Sequence, residues 1–241
     1  MSSDKVHNPS RYEDYSSTLR TLLHLSGSPV AVGFAYDEKD IPEGLEELSE
    51  NMRHCQMISI ARNEGKSFFA TKKVHSCMGG AWALGLAALT KSLRSGEFYY
   101  KLGKFESFAS CKRTIANVPA LESESVYATM YAPLERTPFV PAVVVFIAEP
   151  AFMLKLVQAS LFKLGGRVES NFAGIQSLCA DTTVFPYISG NLNVSLGCDG
   201  SRKFSHIEKE YMVAGIPLEI VSDIVEALPI VSGAPGSSIP S

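Results

Sequence analysis

The chain has 241 residues, of which 20% are charged and 46% hydrophobic, and its formal net charge is −3 at pH 7. This length and composition are typical of one large globular domain or two small ones. The slightly acidic balance and the scattered Lys and Arg residues give no electrostatic basis for binding nucleic acid or anionic lipid, so we expect neither as a partner.

The first residues are polar and contain no apolar stretch of signal-peptide length. The longest apolar segment, 141–162, is interrupted by Glu149, Pro150 and Lys155, which indicates a strand followed by a helix rather than a membrane span. We therefore expect a cytoplasmic protein that does not associate with membranes. Its five cysteines are then expected to stay reduced, without disulfides.

Hydrophobic periodicity predicts helices and strands that alternate along the chain. The predicted helices are Tyr12–Leu25, Met52–Arg62, Ala81–Leu93, Phe152–Leu164 and Leu218–Ala227. The predicted strands are Val30–Ala35, Ser67–Thr71, Tyr127–Ala132, Ala142–Ala148, Val168–Phe172, Asn193–Leu196 and Tyr211–Ala214. This alternation predicts an α/β or α+β fold, with a mixed sheet and helices packed on it in a single domain over 11–228. Residues 1–10 and the Pro/Gly/Ser-rich 229–241 are predicted to be flexible tails.

The two halves of the chain show a weak internal repeat in the order of their predicted elements. Helix Met52–Arg62 precedes a glycine, a strand and Cys77, and helix Phe152–Leu164 precedes two glycines, a strand and Cys179. Residue identity between the halves is negligible. An internal duplication is therefore a hypothesis, and it would place Cys77 and Cys179 at equivalent turns.

Four cysteines are the most informative candidate site residues, because each lies beside glycines or turn-forming residues. They are Cys55, Cys77, Cys179 and Cys198. Reduced intracellular thiols serve as core filler, reactive nucleophiles or metal ligands. For any single cysteine the core role is favoured by burial statistics. Four cysteines in similar contexts favour a shared site.

The chain resembles a prokaryotic family catalogued as domain of unknown function 169, over about Ser28 to Leu228. The resemblance is carried by Ser28-Pro29-Val30-Ala31-Val32, Cys55-Gln56, Cys77 with Gly79, Leu84-Gly85-Leu86, Ala132-Pro133-Leu134, Pro150, Cys179-Ala180-Asp181, Gly190, Gly197-Cys198-Asp199-Gly200-Ser201-Arg202 and Gly215-Ile216-Pro217. It implies that Cys55, Cys77, Cys179 and Cys198 stand at positions where the family has cysteine, whereas Cys111 does not. It implies no particular activity.

Four thiolates suit either a tetrahedral zinc ion or an iron–sulfur cluster. No Cys-x-x-Cys pair is present, and 21 residues separate Cys55 from Cys77 while 18 separate Cys179 from Cys198. Such wide spacing favours a 4Fe–4S cluster in a large fold over a zinc module, with zinc as the alternative. A catalytic thiol next to His54 or His75 is less favoured, because sequence neighbours rarely adopt attack geometry.

Glycines next to two of the cysteines strengthen the cluster hypothesis, because they let backbone N–H groups approach cluster sulfides closely. The candidate cofactor-binding residues are Gly79, Gly80, Gly197, Gly200 and Arg202. Arg202 would pair with the charge of a cluster or of a substrate, or would cap nearby carbonyl groups instead. No catalytic residue is assigned, and no nucleotide-binding or hydrolase motif is present.

Two functional hypotheses follow from the sequence. The first is an iron–sulfur protein that acts in electron transfer or in cluster-assisted chemistry on a small substrate, with a redox partner protein or a larger complex. The second is a non-redox protein that binds a cofactor or assists assembly through the same thiol- and glycine-lined pocket. Both hypotheses allow the protein to associate into a homo-oligomer.

Overall fold

A computed structural model describes residues 7–234 and 236. Within them the α-helices are α1 (Pro9–Leu22), α2 (His54–Glu64), α3 (Met78–Ala83), α4 (Lys91–Arg94), α5 (Glu97–Lys101), α6 (Phe108–Ile115), α7 (Pro150–Leu161), α8 (Phe185–Ser189), α9 (Asp199–Ser205) and α10 (Val221–Val231). A π-helix spans Ser177–Val184. The strands are β1 (Val30–Ala35), β2 (Phe68–Thr71), β3 (Ala128–Pro133), β4 (Val143–Ala148), β5 (Asn193–Ser195) and β6 (Met212–Pro217).

The strands form one six-stranded sheet in the order β2-β3-β1-β4-β6-β5, and its neighbouring strands all pair antiparallel. Among the described residues, parallel pairing is confined to two isolated bridges, Glu47 with Phe69 and Met52 with His75. With its helices packed on this sheet, the single domain confirms the expected α/β or α+β class, but the ladders between its strands are antiparallel where a mixed sheet was expected.

Both faces of the sheet are covered, which explains the unbroken apolar run of β4. Side chains alternate along β4, so that Val144 and Phe146 pack in one core cluster while Val143 and Val145 pack in another. Helices α1, α7 and α10 cover the first face. Helix α2 and the π-helix cover the second face, and this is the side on which the candidate site lies.

Two predicted elements are wrong. The predicted helix Ala81–Leu93 is interrupted after α3, because Gly85 takes a left-handed conformation with φ +75°. The predicted strand Val168–Phe172 is irregular chain. There Asn171 donates its N–H to the side-chain oxygen of Asn193 and accepts a bond from the Asn193 amide nitrogen, each at 2.8 Å, so a side chain takes the place of a strand ladder.

The two halves of the chain arrange their three strands in the same way. From the edge of the sheet to its centre, the first half runs β2-β3-β1 and the second half runs β5-β6-β4. Each half therefore has its second strand at the edge, its third strand next to it and its first strand at the centre. The strand register repeats as well: Val30 pairs with Pro133 and Val143 pairs with Pro217. A 3₁₀ turn follows each of these prolines. This repeat agrees with an internal duplication, but with a different correspondence from the one predicted, since 168–172 is not a strand.

Helical structure extends into both predicted tails, because α1 begins at Pro9 and α10 ends at Val231. Asn8 caps α1 by accepting a hydrogen bond from the Arg11 N–H. Positions 1–6, 235 and 237–241 of the predicted tails lie outside the described residues. No helix in the described ranges is long and apolar enough to cross a membrane.

Candidate metal centre

The four predicted cysteines lie at the starts of four different helices. Cys55 is the second residue of α2, Cys77 directly precedes α3, Cys179 is in the first turn of the π-helix, and Cys198 directly precedes α9. These helices contact one another, α2 with α9 and both α2 and α3 with the π-helix. The first turn of a helix leaves backbone N–H groups without partners inside the helix. Each cysteine is therefore next to donors that can bond a thiolate.

The fold brings these four thiols to one place. A Cβ atom at Gly80 would lie 3.7 Å from the Sγ atoms of both Cys77 and Cys179, so these sulfurs are no further apart than twice that distance. Cys179 interacts electrostatically with Cys77, Cys198 and Cys55, and Cys55 interacts with Cys198 and Cys77. The topological repeat explains the arrangement: each half contributes one cysteine between its first two strands and one after its second strand.

Burial and mutual repulsion disfavour ionisation of two of these thiols. Burial first, and then the charges of Cys198 and Cys77, raise the pKa of Cys55 to about 11. Burial also raises the pKa of Cys179 well above its usual value, and the three other thiols add to that effect. A bound cationic group would offset this repulsion and favour the thiolates.

At Cys198 hydrogen bonds to the thiolate outweigh burial, whereas at Cys55 and Cys179 burial prevails. Burial acts to raise the pKa of Cys198, but donors from the backbone and the hydroxyls of Ser177 and Ser201 outweigh this, and the pKa is lowered. The Cys198 N–H in turn donates to Ser201 Oγ at 2.9 Å. The Cys198 thiolate is therefore more readily formed than that of Cys55 or Cys179, and a thiolate is the form that ligates a metal.

The predicted glycines differ in what they face. Gly80 faces Cys77 and Cys179, and a Cβ at Gly200 would lie 3.7 Å from Cys198 Sγ. Gly79 faces the amide of a glutamine rather than a sulfur. Gly197 adopts φ +80°, which makes the turn before Cys198.

Arg202 donates hydrogen bonds to backbone carbonyl groups. Its guanidinium bonds Glu208 O at 2.7 Å, Tyr211 O at 3.0 Å and also Leu196 O. It thereby ties the chain on both sides of α9 together. This geometry favours the capping role over a contact with a cofactor.

Cys111 lies apart from the four converging thiols. It is buried on α6 in an apolar cluster with Trp82, Leu93 and Ile115, and burial raises the pKa of its thiol. Its surroundings are those of a core residue.

Sequence reasoning missed two polar residues at the site, Gln176 and Tyr99. Gln176 caps the π-helix and is 4% exposed, yet neither atom of its side-chain amide makes a well-formed hydrogen bond in the described structure, and the amide interacts with the hydroxyl of Tyr99. A buried polar group without a hydrogen bond lowers the stability of the folded protein by about 1–3 kcal/mol. The only sequence signal would have been the position of Gln176 three residues before Cys179.

A buried chain of hydrogen bonds links three of the cysteine-bearing segments through β3. Tyr131 Oη lies 2.7 Å from His54 Nδ1 and 2.9 Å from Thr129 Oγ1, which lies 3.0 Å from His75 Nε2. The other ring nitrogen of His54 lies 3.0 Å from Thr183 Oγ1 on the π-helix. Burial lowers the pKa of His54 to about 3 and that of His75 to about 4, so both rings are neutral and join the elements as hydrogen-bonding groups.

A surface cavity of about 460 Å³ adjoins the π-helix. Asp181 lines it and accepts a bond of 2.7 Å from Ser195 Oγ. Burial raises the pKa of Asp181 to about 7. The four thiols do not line this cavity.

The spacing of the thiols bears on which metal group could bind them. In the part of the chain that the structure describes, no three His, Cys, Asp or Glu side chains are arranged to hold one metal ion. Four sulfurs on one zinc ion would lie within about 4 Å of each other, given Zn–S bonds of about 2.3 Å. A four-iron cluster binds each thiolate to a separate iron, so its ligands stand further apart. The donor set of four thiols beside backbone N–H groups has the chemistry that such a cluster requires.

Comparison with known proteins shows what the chain is similar to. The model of the domain of unknown function 169 family, described as "Uncharacterised ArCR", matches residues 18–227. The uncharacterised protein MJ0308 of Methanocaldococcus jannaschii is 46% identical over 211 residues, which cover 87% of this chain and 90% of that protein. No solved structure matches the chain significantly. The extent of both sequence matches shows that the chain belongs to the domain of unknown function 169 family.

Proposed function

We propose that this protein binds a 4Fe–4S cluster through Cys55, Cys77, Cys179 and Cys198, and acts in electron transfer or in redox chemistry on a small substrate. The observation that carries the proposal is the convergence of these four thiols from four separate helices. When bound, such a cluster would supply reversible one-electron transfer.

The surroundings of the thiols support this proposal. Gly80 leaves space between two of the sulfurs, and Ser177 and Ser201 donate to a third. Hydrogen bonds to ligating sulfurs stabilise a cluster and tune its potential. Cys111 is fully buried in a separate apolar cluster away from the four thiols, so it serves as an internal control.

The position of the thiols favours electron transfer with a partner protein. Cys55, Cys77 and Cys198 are only half-buried, so the centre lies close to the surface. Two exposed apolar side chains, Met78 and Leu196, flank Cys77 and Cys198. A partially exposed centre beside apolar surface is suited to a transient encounter with a redox partner.

Anaerobic purification, followed by iron and sulfide analysis and by electron paramagnetic resonance after reduction, tests the proposal. We expect a brown protein with broad absorption near ~400 nm and about four irons and four sulfides per chain. Cys179→Ser should lose most of this iron. Cys111→Ser should keep it, because Cys111 lies in a separate apolar cluster.

Other results would replace the proposal. Wild-type protein that binds about one zinc ion and no sulfide would indicate a zinc site. Protein that takes up neither metal nor sulfide under reconstitution would leave the non-redox alternative, a thiol- and glycine-lined pocket for another cofactor or for assembly. Equal loss of iron in Cys111→Ser and Cys179→Ser would mean that the four ligands are wrongly chosen.

A further inference from the structure

Gln176 combines two unusual features at the edge of the thiol site. Its backbone has φ +54°, a left-handed conformation that non-glycine residues rarely adopt. Its side chain is buried, neither amide atom makes a well-formed hydrogen bond in the described structure, and the amide interacts with the hydroxyl of Tyr99. Native proteins rarely leave a buried amide unpaired, and strained backbone is concentrated where a ligand is held. Together these features indicate that something else completes the hydrogen bonds of Gln176.

The amide lies next to the sulfurs. A Cβ at Gly79 would collide with Gln176 Nε2 and lie 3.0 Å from Tyr99 Oη, so the two polar groups meet over this glycine. The next residue, Gly80, faces Cys77 and Cys179. The Gln176 carbonyl accepts a bond from Cys179 Sγ at 3.4 Å. Gln176 and Tyr99 therefore lie along one side of the thiol site. We call these two residues the polar wall.

The two residues of the polar wall can donate hydrogen bonds, and they carry little negative charge of their own. Tyr99 is buried, and its pKa is raised by burial and then by the charges of Cys179 and Cys77, so its hydroxyl stays protonated. The Gln176 amide is neutral at every pH and offers two N–H donors. Neutral donors facing a group of thiolates fit a ligand that accepts hydrogen bonds and carries negative charge.

We infer that Gln176, together with Tyr99, donates hydrogen bonds to inorganic sulfide of the cluster held by the four cysteines, and so sets its reduction potential. This inference rests on the proposed function and adds a residue that tunes it. Donors near a cluster stabilise the reduced form more, because that form carries one more negative charge. Removing the donor should therefore lower the reduction potential.

The test compares Gln176→Leu with Gln158→Leu in the holoprotein. Leucine keeps much of the glutamine shape but removes the amide, and Gln158 is exposed on α7, on the opposite side of the sheet. We expect Gln176→Leu to shift the equilibrium between the oxidised and reduced cluster about tenfold toward the oxidised form. For a one-electron couple this shift corresponds to a fall of about 59 mV in the reduction potential. Gln158→Leu should keep the wild-type potential.

Tyr99→Phe provides a second variant if Gln176→Leu does not fold. It removes the other donor of the polar wall and should shift the potential in the same direction. Iron and sulfide content are measured for every variant. A cluster whose potential is unchanged in both Gln176→Leu and Tyr99→Phe would overturn the inference while leaving the proposed function intact. Absence of a cluster in the wild-type protein would overturn both.

Discussion

Gly80 is the residue where the backbone of α3 meets the sulfurs of Cys77 and Cys179. An added Cβ would lie at 3.6–3.7 Å from the side chains of these two cysteines, which is an ordinary van der Waals distance. The protein without metal thus has room for a methyl group at this position. That methyl group would occupy the space in which a cluster would sit.

We therefore predict that Gly80→Ala separates stability from metal binding. The metal-free variant should unfold at the same temperature as wild type or higher, because alanine favours a helix by up to about 1 kcal/mol over glycine. Its iron content after anaerobic reconstitution should fall strongly. Thermal unfolding and iron analysis check the two parts, and full iron content in this variant would contradict our account of the site.

At the scale of elements, the contact between β6 and the π-helix positions Cys179. A Cβ at Gly215 of β6 would overlap the carbonyl of Thr182 and lie 2.7 Å from its carbon. A neighbour made of backbone cannot rotate away as the end of a side chain can. Only glycine at position 215 lets the π-helix approach the sheet this closely.

We predict that Gly215→Ala destabilises the protein by about 1–3 kcal/mol, the range for overpacking a tight core. It should also lower iron content, because displacement of Thr182 moves the helix that carries Cys179. Urea denaturation and iron analysis measure the two effects.

Gly33→Ala in β1 is the matched control. There the added Cβ would meet the end of the Met130 side chain and the ring of Phe139, each at 2.9 Å. Because a methionine side chain can move, this variant should lose less stability and keep its iron. If Gly33→Ala lost as much iron as Gly215→Ala, the effect would come from general loss of packing and not from the π-helix.

At the scale of the whole molecule, the two halves are joined through the middle of the sheet. β1 pairs with β4, and α1 from the first half packs against α10 from the second. The core cluster on that face contains Leu19 and Leu134 from one half and Phe146 and Ile224 from the other. Each half alone would expose a strand edge and half of an apolar face.

We predict that chains 1–138 and 139–241, expressed separately, do not fold on their own. Each should lack a cooperative thermal transition by circular dichroism, whereas the intact chain should show one. Since each half holds only two of the four cysteines, neither should retain iron. Two halves that each unfold cooperatively would contradict the single domain.

The local sequence contained enough information to predict most of the strands and the long helices. The bounds of β1 follow from its apolar run Val30–Ala35, and the long apolar run of β4 follows from burial on both faces. The local sequence failed where a distant partner decides the conformation. Segment 168–172 has a strand-like pattern, but its backbone groups bond to the side chain of Asn193 instead of to a neighbouring strand.

By itself the sequence determined the fold class through its periodicity, and it singled out four candidate cysteines through their glycine and turn neighbours and through the family resemblance. Only the tertiary structure decided that these cysteines meet, that each half supplies two, and that Arg202 caps carbonyl groups. It also revealed Gln176 and Tyr99, which carry no motif. The physical reason is that the site is assembled from segments more than a hundred residues apart, and their approach depends on sheet register and on the close contact at Gly215.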